Sequence, residues 1–293
     1  MSHIAFFGKV PSAADFVRRG VQGPVRDFEN WFHDGIADLR ATGAKAIPEP
    51  LGFLWPHPAG TVLACAAPSQ DRIGRTFPKV AVSEPRSLVG LPLAHSLLAA
   101  RRFWREATAA LEISEGTEPD AVANRVRAVD EPSAADVAEA AKVLQAFLDE
   151  ESVGALEQSC FDSHEDACYA YHTLQLATRE APPSEPRVLA CPNGSTLDCR
   201  AFWAEAIDRS TGGRLALPLV WGSNWVLIAL GRAPASMVRF AAGLGGRSQA
   251  LWPLVTDRDA ARSRARSALE GRGWPGAEDT LSRLIDALVR LRS

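Results

Sequence analysis

The chain has 293 residues, of which 46% are hydrophobic and 23% are charged, with 22 glycines and 20 prolines. This composition is typical of a globular protein and excludes a mostly disordered chain, a coiled coil and a collagen-like repeat. The length allows one large domain or two of moderate size. The formal net charge of −3 provides no global positive field, so binding of nucleic acid through phosphate attraction is not expected.

No segment reaches the roughly 18 consecutive apolar residues of a membrane span, and the first residues lack the basic and apolar regions of a secretory signal. The five cysteines are an odd number in a chain long enough to fold without disulfides. Free thiols in a reducing compartment are the simplest interpretation. We therefore expect a cytoplasmic protein without a membrane span.

The first third of the chain predicts a strand, a helix and then three strands. Residues 4–8 form an apolar run that ends at a glycine. Residues 24–40 carry apolar side chains at helical spacing, with Pro24 in the first turn and Gly43 at the end. Strand-like runs follow at residues 52–55, 61–66 and 78–82. The turn residues 57–60 predict an antiparallel hairpin between the first two runs.

The rest of the sequence, from residue 93 onward, predicts helices first and then both strands and helices. Residues 93–176 are expected to be helical, with a loop at 130–133 in which Ser133 and Asp136 form the cap of the next helix. Residues 181–186 are rich in proline and indicate a linker. Beyond it we expect a strand at 188–190, a helix at 197–209, a hairpin made of runs 215–220 and 225–230, and a last helix from residue 281.

Most of the predicted strands are joined by turns of hairpin length rather than by crossover helices. This favours an α/β protein, with an α+β tendency, in which helices flank a central and mainly antiparallel sheet. We expect three parts: an N-terminal module at 1–115, a helical segment at 116–186, and a C-terminal α/β part at 187–293 that completes the same sheet.

The densest polar cluster of the sequence lies at residues 68–78 (Pro-Ser-Gln-Asp-Arg-Ile-Gly-Arg-Thr-Phe-Pro), hereafter loop 68–78. Within seven residues it holds Ser69, Asp71, Arg72 and Arg75. One interpretation is a recognition loop whose guanidinium groups bind a carboxylate or a phosphate. The other is a structural ion pair of Asp71 with Arg72 or Arg75 that makes the turn rigid.

Two motifs of the sequence resemble the TagF family of bacterial type VI secretion accessory proteins. Residues 6–11 (Phe-Phe-Gly-Lys-Val-Pro), residues 15–20 (Asp-Phe-Val-Arg-Arg-Gly) and Trp31 resemble the start of the family, and loop 68–78 is similar to its second motif. The hairpin around residues 221–225 is similar to a tryptophan-containing segment late in the family. The resemblance implies a non-enzymatic regulator, a post-translational repressor of type VI secretion, that engages a forkhead-associated scaffold protein. It leaves open whether this depends on threonine phosphorylation.

The two motifs both border strands, so their loops are expected to emerge at the same edge of an antiparallel sheet. Charged residues there would orient a partner, while Phe16 and Trp31 would provide apolar contact or the packing beneath it. The alternative is that these residues only attach the first helix to the sheet. The expected partner-binding residues are Lys9, Asp15, Phe16, Ser69, Asp71, Arg72 and Arg75.

No motif of a nucleophile elbow, a P-loop or a zinc protease is present, so we expect a protein that is not an enzyme and uses no cofactor. The glycine-rich run at 243–247 follows a predicted helix, which indicates a helix end rather than a phosphate cradle. The alternative function is a sensor of phosphate or another small anion that uses Asp71, Arg72 and Arg75. A hydrolase is a third hypothesis, for which no nucleophile and base are identifiable.

One series resembles a metal site because its members recur every four residues: Cys160, His164, Cys168 and His172. Neighbours in the series would share a helix face, but one straight helix cannot place four ligands tetrahedrally around zinc. Cys191 and Cys199 are too sparse to add a second half-site, so no bound metal is expected.

Two further features of the sequence each allow two interpretations. Tryptophans 55, 203, 221, 225 and 252 suit a core or a partner surface. Arginines 258, 262, 264 and 266 suit a solvated helix face or a docking patch for an acidic partner.

Overall fold

The computed structural model describes residues 4–112, 116–179, 185–194, 196–213, 215–243, 248–270 and 273–290. The strands are β1 (Ala5–Gly8), β2 (Val17–Arg19), β3 (Leu51–His57), β4 (Gly60–Ala67), β5 (Lys79–Ser83), β6 (Arg187–Pro192), β7 (Leu219–Trp221), β8 (Trp225–Leu230) and β9 (Leu251–Pro253). The helices are α1 (Gly23–Ala41), α2 (Leu93–Ala99), α3 (Arg101–Leu111), α4 (Pro119–Arg127), α5 (Ala134–Glu150), α6 (Val153–Cys160), α7 (His164–Thr178), α8 (Leu197–Thr211), α9 (Met237–Ala241), α10 (Asp259–Leu269) and α11 (Leu281–Arg290).

The nine strands form one sheet in the order β2-β1-β5-β4-β3-β7-β8-β6-β9. Neighbouring strands are antiparallel except for β6 and β9, which are parallel. The predicted α/β class, with a mainly antiparallel sheet flanked by helices, is confirmed.

Helices cover both faces of the sheet, which explains why β4 is an unbroken run of eight buried residues. Its even-numbered residues, such as Val62, belong to the core beneath α1 and α9. Leu63 and Cys65 belong to the opposite core, to which α2 to α8, α10 and α11 contribute. α1 lies on the sheet because its buried side chains, Phe28 and Phe32 among them, recur at helical spacing.

The pairing of β3 with β7 joins strands from the two ends of the chain. Gly52 of β3 lies opposite Trp221 of β7. A Cβ atom at Gly52 would lie 2.1 Å from the Trp221 ring, so this pairing requires a glycine. The division of the chain at 1–115, 116–186 and 187–293 stays a prediction.

Several predicted elements are confirmed. The hairpin of β3 and β4 closes with His57 opposite Gly60. Gly43 follows α1 with a φ of +89°, a conformation that glycine adopts without strain. The Ser133 side chain accepts a hydrogen bond from the Asp136 N–H, and the Asp136 carboxylate accepts one from the Ser133 N–H, which completes the predicted cap of α5.

Other predictions need correction. The strand expected at 215–220 begins only at Leu219, because Pro218 has no N–H to donate to a ladder. The short edge strands β2 and β9 were not predicted. Residues 181–184 of the expected linker and 244–247 of the glycine-rich run lie outside the described residues. Among the helices that the structure describes, none has the length and apolar character needed to cross a membrane.

Candidate functional site

Residues 9–16 and loop 68–78 lie side by side at the end of β1. Gly8, the last residue of β1, has a φ of +133°. A Cβ atom there would lie 2.2 Å from the Pro78 carbonyl oxygen and 2.6 Å from the Lys79 Cα. A side chain at this position is therefore sterically excluded, and the glycine of the first motif allows the two segments to meet.

The Asp71 carboxylate lies at the centre of this junction and is fully buried. Its Oδ2 atom accepts hydrogen bonds from Lys9 Nζ at 2.7 Å and from Arg75 Nε at 2.7 Å. Its Oδ1 atom accepts from the backbone N–H groups of Ile73 at 3.1 Å and Arg75 at 2.8 Å. The predicted ion pair of Asp71 with one of the two arginines is confirmed, and Arg75 is the partner.

These donors determine the protonation state of Asp71. Burial raises the pKa of the carboxyl, but the hydrogen bonds from Lys9, Arg75 and the two backbone N–H groups outweigh burial and hold the pKa well below its usual range. The group is therefore a fixed anion with four donors. It is unsuited to accept a proton near neutral pH.

Further hydrogen bonds attach the loop to the first motif. Ser69 Oγ donates to the Lys9 carbonyl at 2.7 Å, and the Arg72 N–H donates to the Ala13 carbonyl at 2.9 Å. The guanidinium of Arg75 also donates to the Ala14 carbonyl. Backbone and side-chain bonds together hold the loop in one conformation.

Phe16 forms the apolar support of the junction. Its ring lies 5.1 Å from that of Phe77, edge to face, and 6.3 Å from that of Phe7. Trp31 lies elsewhere, with its ring 5.7 Å from Phe28 and its Nε1 donating to the Ala233 carbonyl. Phe16 therefore belongs to the junction and Trp31 to the core beneath α1.

The tip of the loop is exposed. Ile73 has 64% of its surface accessible, beside the exposed Arg72 and the half-exposed Arg75 side chain. Asp15 is almost fully exposed, with its Oδ1 at 3.9 Å from the Arg75 guanidinium. Sequence reasoning missed Ile73, because an isolated apolar residue among polar ones does not reveal whether it is buried.

The structure thus brings the seven predicted residues together but in different positions. Lys9, Ser69 and Asp71 hold the loop from inside, whereas Asp15, Arg72 and Arg75 reach its surface.

The same geometry bears on the alternative hypothesis of an anion-binding site. Asp71 occupies the place where an external anion would meet Lys9 and Arg75. Within the described part of the chain, the Arg72 side chain has no hydrogen-bond or ion-pair partner.

The cysteine and histidine series does not lie on one straight helix, contrary to the sequence interpretation. α6 ends at Cys160, and Ser163 caps the separate helix α7 by accepting a hydrogen bond from the Asp166 N–H. His164 Nδ1 lies 2.8 Å from Glu157 Oε2. The described residues contain no group of three or more His, Cys, Asp or Glu side chains arranged to hold a metal ion.

The tryptophans are packed within the fold, and two of the four arginines 258, 262, 264 and 266 form ion pairs with α7. All eight tryptophans are buried or half-buried, which favours packing over an exposed aromatic surface. Arg262 pairs with Asp166 at 2.9 Å, and Arg266 pairs with Glu165 at 2.6 Å. These two arginines attach α10 to α7.

Residues 5–129 match the family described as TagF N-terminal domain, type VI secretion system-associated. The match confirms the resemblance drawn from the two motifs and contains both of them. The chain is also similar to the crystal structure of PA0076 from Pseudomonas aeruginosa PAO1, over 84% of this chain and 96% of that one, with 17% identity and a TM-score of 0.46. No curated protein matches the chain.

Proposed function

We propose that this chain, whose residues 5–129 are a TagF N-terminal domain associated with type VI secretion, is a non-enzymatic cytoplasmic regulator of that system. In this proposal it acts after translation as a repressor, by binding a forkhead-associated scaffold protein of the apparatus. The tip of loop 68–78 is the contact surface.

The observation that carries the proposal is the exposed side chain of Ile73 beside two accessible arginines, Arg72 and Arg75, on a rigid loop. Single exposed apolar residues are common on protein surfaces, but an apolar centre with a charged rim on an ordered loop has the composition of a binding surface. Because Asp71 and its four donors already fix the loop, little conformational entropy is lost when the tip is bound. The loop is therefore preorganised for recognition.

The charges around Ile73 indicate the kind of surface that it fits. Arg72 is exposed and has no partner among the described residues, and Arg75 presents half of its side chain to solvent. A partner surface with an apolar pocket and acidic residues at its rim would complement them. Arginine at such a rim also forms paired hydrogen bonds with carboxylates.

The chemistry of the junction supports binding rather than catalysis. The Asp71 carboxylate is saturated by four donors, and its charge is matched by Lys9 and Arg75. These groups stabilise the loop and present no base or nucleophile at its surface.

The proposal is tested by titration calorimetry of the purified chain against the purified forkhead-associated scaffold protein. We expect Ile73→Asp and Arg72→Glu each to weaken binding by at least about tenfold, as for central contact residues. Arg75 stays unchanged because its replacement would disturb Asp71. The matched control is Val89→Asp, an exposed apolar residue outside the loop. Unchanged affinity of both loop variants, with melting temperatures like that of the wild type, would contradict the proposed surface.

A further inference from the structure

Three cysteines that are far apart in sequence converge beside the N-terminus of α8. Cys160 is the last residue of α6, Cys191 lies on β6, and Cys199 is the third residue of α8. A Cβ atom built on Gly194 would lie 2.6 Å from the Cys199 sulfur and 2.9 Å from the Cys160 sulfur. Both sulfurs therefore border the same small space, which the glycine leaves open.

Polar hydrogens surround the Cys199 sulfur. Thr196 Oγ1 donates to it at 3.4 Å, and Ser159 Oγ lies 3.6 Å away. The position in the first turn of α8 adds the positive end of the helix dipole. Such surroundings favour the thiolate over the thiol.

The two neighbouring thiols differ in acidity. A hydrogen bond from Cys160, with further ones from Thr196 and Ser159, lowers the pKa of Cys199 below its usual range in spite of burial. The same contact with Cys199 raises the pKa of Cys160. The contact thus favours the thiolate at Cys199 and the protonated thiol at Cys160.

The remaining cysteines lack this environment. Burial raises the pKa of Cys65 and of Cys168 to about 11 in each case, and burial also raises the pKa of Cys191. Thiols of this kind are poor nucleophiles near neutral pH. Oxidation is therefore expected to select the pair.

A solvent-open cavity of about 780 Å³ reaches Cys160 from outside. Cys160 lines it together with Tyr169 and Arg262, between α7, β9 and α10. Cys199 is buried, with 5% of its surface accessible, and its sulfur shares with that of Cys160 the space beside Gly194. Hydrogen peroxide is small and uncharged and is of a size to enter this cavity.

We propose that Cys160 and Cys199 are an oxidisable thiol pair, which a hydroperoxide converts into a disulfide that links the end of α6 to the start of α8. The proposal assigns a modification site in a part of the chain outside the matched domain. It is independent of the contact surface at loop 68–78.

The chemistry proceeds in two balanced steps. The Cys199 thiolate attacks one oxygen of hydrogen peroxide, the O–O bond breaks, and the departing hydroxide takes up a proton to become water, which leaves Cys199 as a sulfenic acid. Once Cys199 is an uncharged sulfenic acid, the neighbouring negative charge that kept Cys160 protonated is gone. The Cys160 sulfur then attacks the Cys199 sulfur, the S–S bond forms and the S–O bond breaks. The second hydroxide leaves as water with the proton of Cys160. Two thiols and one peroxide thus yield one disulfide and two waters.

The test treats the full chain with hydrogen peroxide, alkylates the remaining thiols after denaturation, and maps the peptides by mass spectrometry. We expect two of the five cysteines to be lost as free thiols, with a peptide that links 160 to 199 and disappears on reduction. In Cys160→Ser we expect a sulfenic acid at 199, which dimedone added together with the denaturant traps. In Cys199→Ser we expect no disulfide at 160. Cys168→Ala is the matched control and should form the same disulfide as the wild type.

Two results would overturn the proposal. One is a wild-type chain that keeps all five thiols under conditions that oxidise a free model thiol. The other is a disulfide that joins different cysteines. The wild-type peptide map decides between these outcomes even where a variant fails to fold.

Discussion

Asp71 shows at the scale of a single residue how the candidate site is held together. Its carboxylate accepts hydrogen bonds from two charged side chains and two backbone N–H groups. Among the described residues, no other side chain of loop 68–78 makes as many hydrogen bonds. An asparagine of similar size would keep some of these bonds but would leave Lys9 and Arg75 facing a neutral amide. Loss of the negative charge lowers the free energy of unfolding, because Lys9 and Arg75 then remain without a counter-ion.

We predict that Asp71→Asn lowers the melting temperature at pH 7 by on the order of 10 °C, as expected for a broken buried ion pair in a chain of this size. The pKa of Asp71 is lower in the folded than in the unfolded chain. Its contribution to the free energy of unfolding is therefore complete above the unfolded-state pKa of about 3.9 and is lost as pH falls below it. Hence the difference between variant and wild type should narrow below about pH 4.

Denaturant unfolding at several pH values measures this difference. The control is Asp15→Asn, which removes an almost fully exposed carboxylate and should leave stability unchanged at neutral pH. A difference between Asp71→Asn and wild type that stays constant down to pH 3 would show that the charge of Asp71 is not the source of the stability.

At the scale of secondary-structure elements, the close contact between Gly52 and Trp221 constrains the pairing of β3 with β7. The Trp221 ring lies directly over Gly52. It also packs against the Trp104 ring, with 4.7 Å between the ring centroids, and against the Arg200 guanidinium, 5.5 Å from the ring centroid. The indole thus connects β3, α3 and α8 at the place where the strands of the two chain ends meet. A methyl group at Gly52 would displace it.

We predict that Gly52→Ala lowers the free energy of unfolding by about 1–3 kcal/mol, the range for overpacking in a core, and changes the tryptophan fluorescence. The matched control is Gly60→Ala in β4. There the three atoms nearest to the new Cβ atom all belong to the flexible Glu84 side chain, whose Oε1 lies at 2.8 Å. Denaturant titration followed by fluorescence compares the two variants, and equal stabilities would refute the role of Gly52.

The elements that sequence could predict are those whose signals are local. α1 has five buried apolar residues at helical spacing between a proline and a glycine, and the hairpin of β3 and β4 has a clear turn. β2 and β9 have only three residues each, and their pairing depends on neighbours that are remote in sequence. The break between α6 and α7 had a local signal, Ser163 three residues before Asp166, which the four-residue spacing of the cysteines and histidines obscured.

The same distinction applies to the candidate site. The meeting of residues 9–16 with loop 68–78 follows from two loops that border strands of one sheet, and it was predicted. The number of donors on Asp71 and the exposure of Ile73 depend on the packed structure. The proximity of Cys160 to Cys199 depends on the placement of α6 against α8, which no spacing in the sequence reveals.

At the scale of the whole molecule, the sheet makes the two ends of the chain interdependent. The matched domain ends at residue 129, whereas the β7 partner of its strand β3 begins at Leu219. A fragment of residues 1–129 would leave the β3 edge unpaired and much of both cores exposed.

We predict that the full chain unfolds in one transition, with the same midpoint by far-ultraviolet circular dichroism and by tryptophan fluorescence. The fragment 1–129 should lack the dispersed amide resonances of a folded domain. Two separate transitions in the full chain, or a well-dispersed spectrum of the fragment, would show that the two ends fold independently.

The measurement that most directly tests the proposed contact surface is hydrogen–deuterium exchange of the full chain with and without the forkhead-associated scaffold protein. If loop 68–78 binds the scaffold, exchange should slow in peptides that contain residues 70–76 and 11–16, and the Ile73→Asp variant should lose this protection. Slower exchange confined to other parts of a chain that demonstrably binds the scaffold would contradict the account.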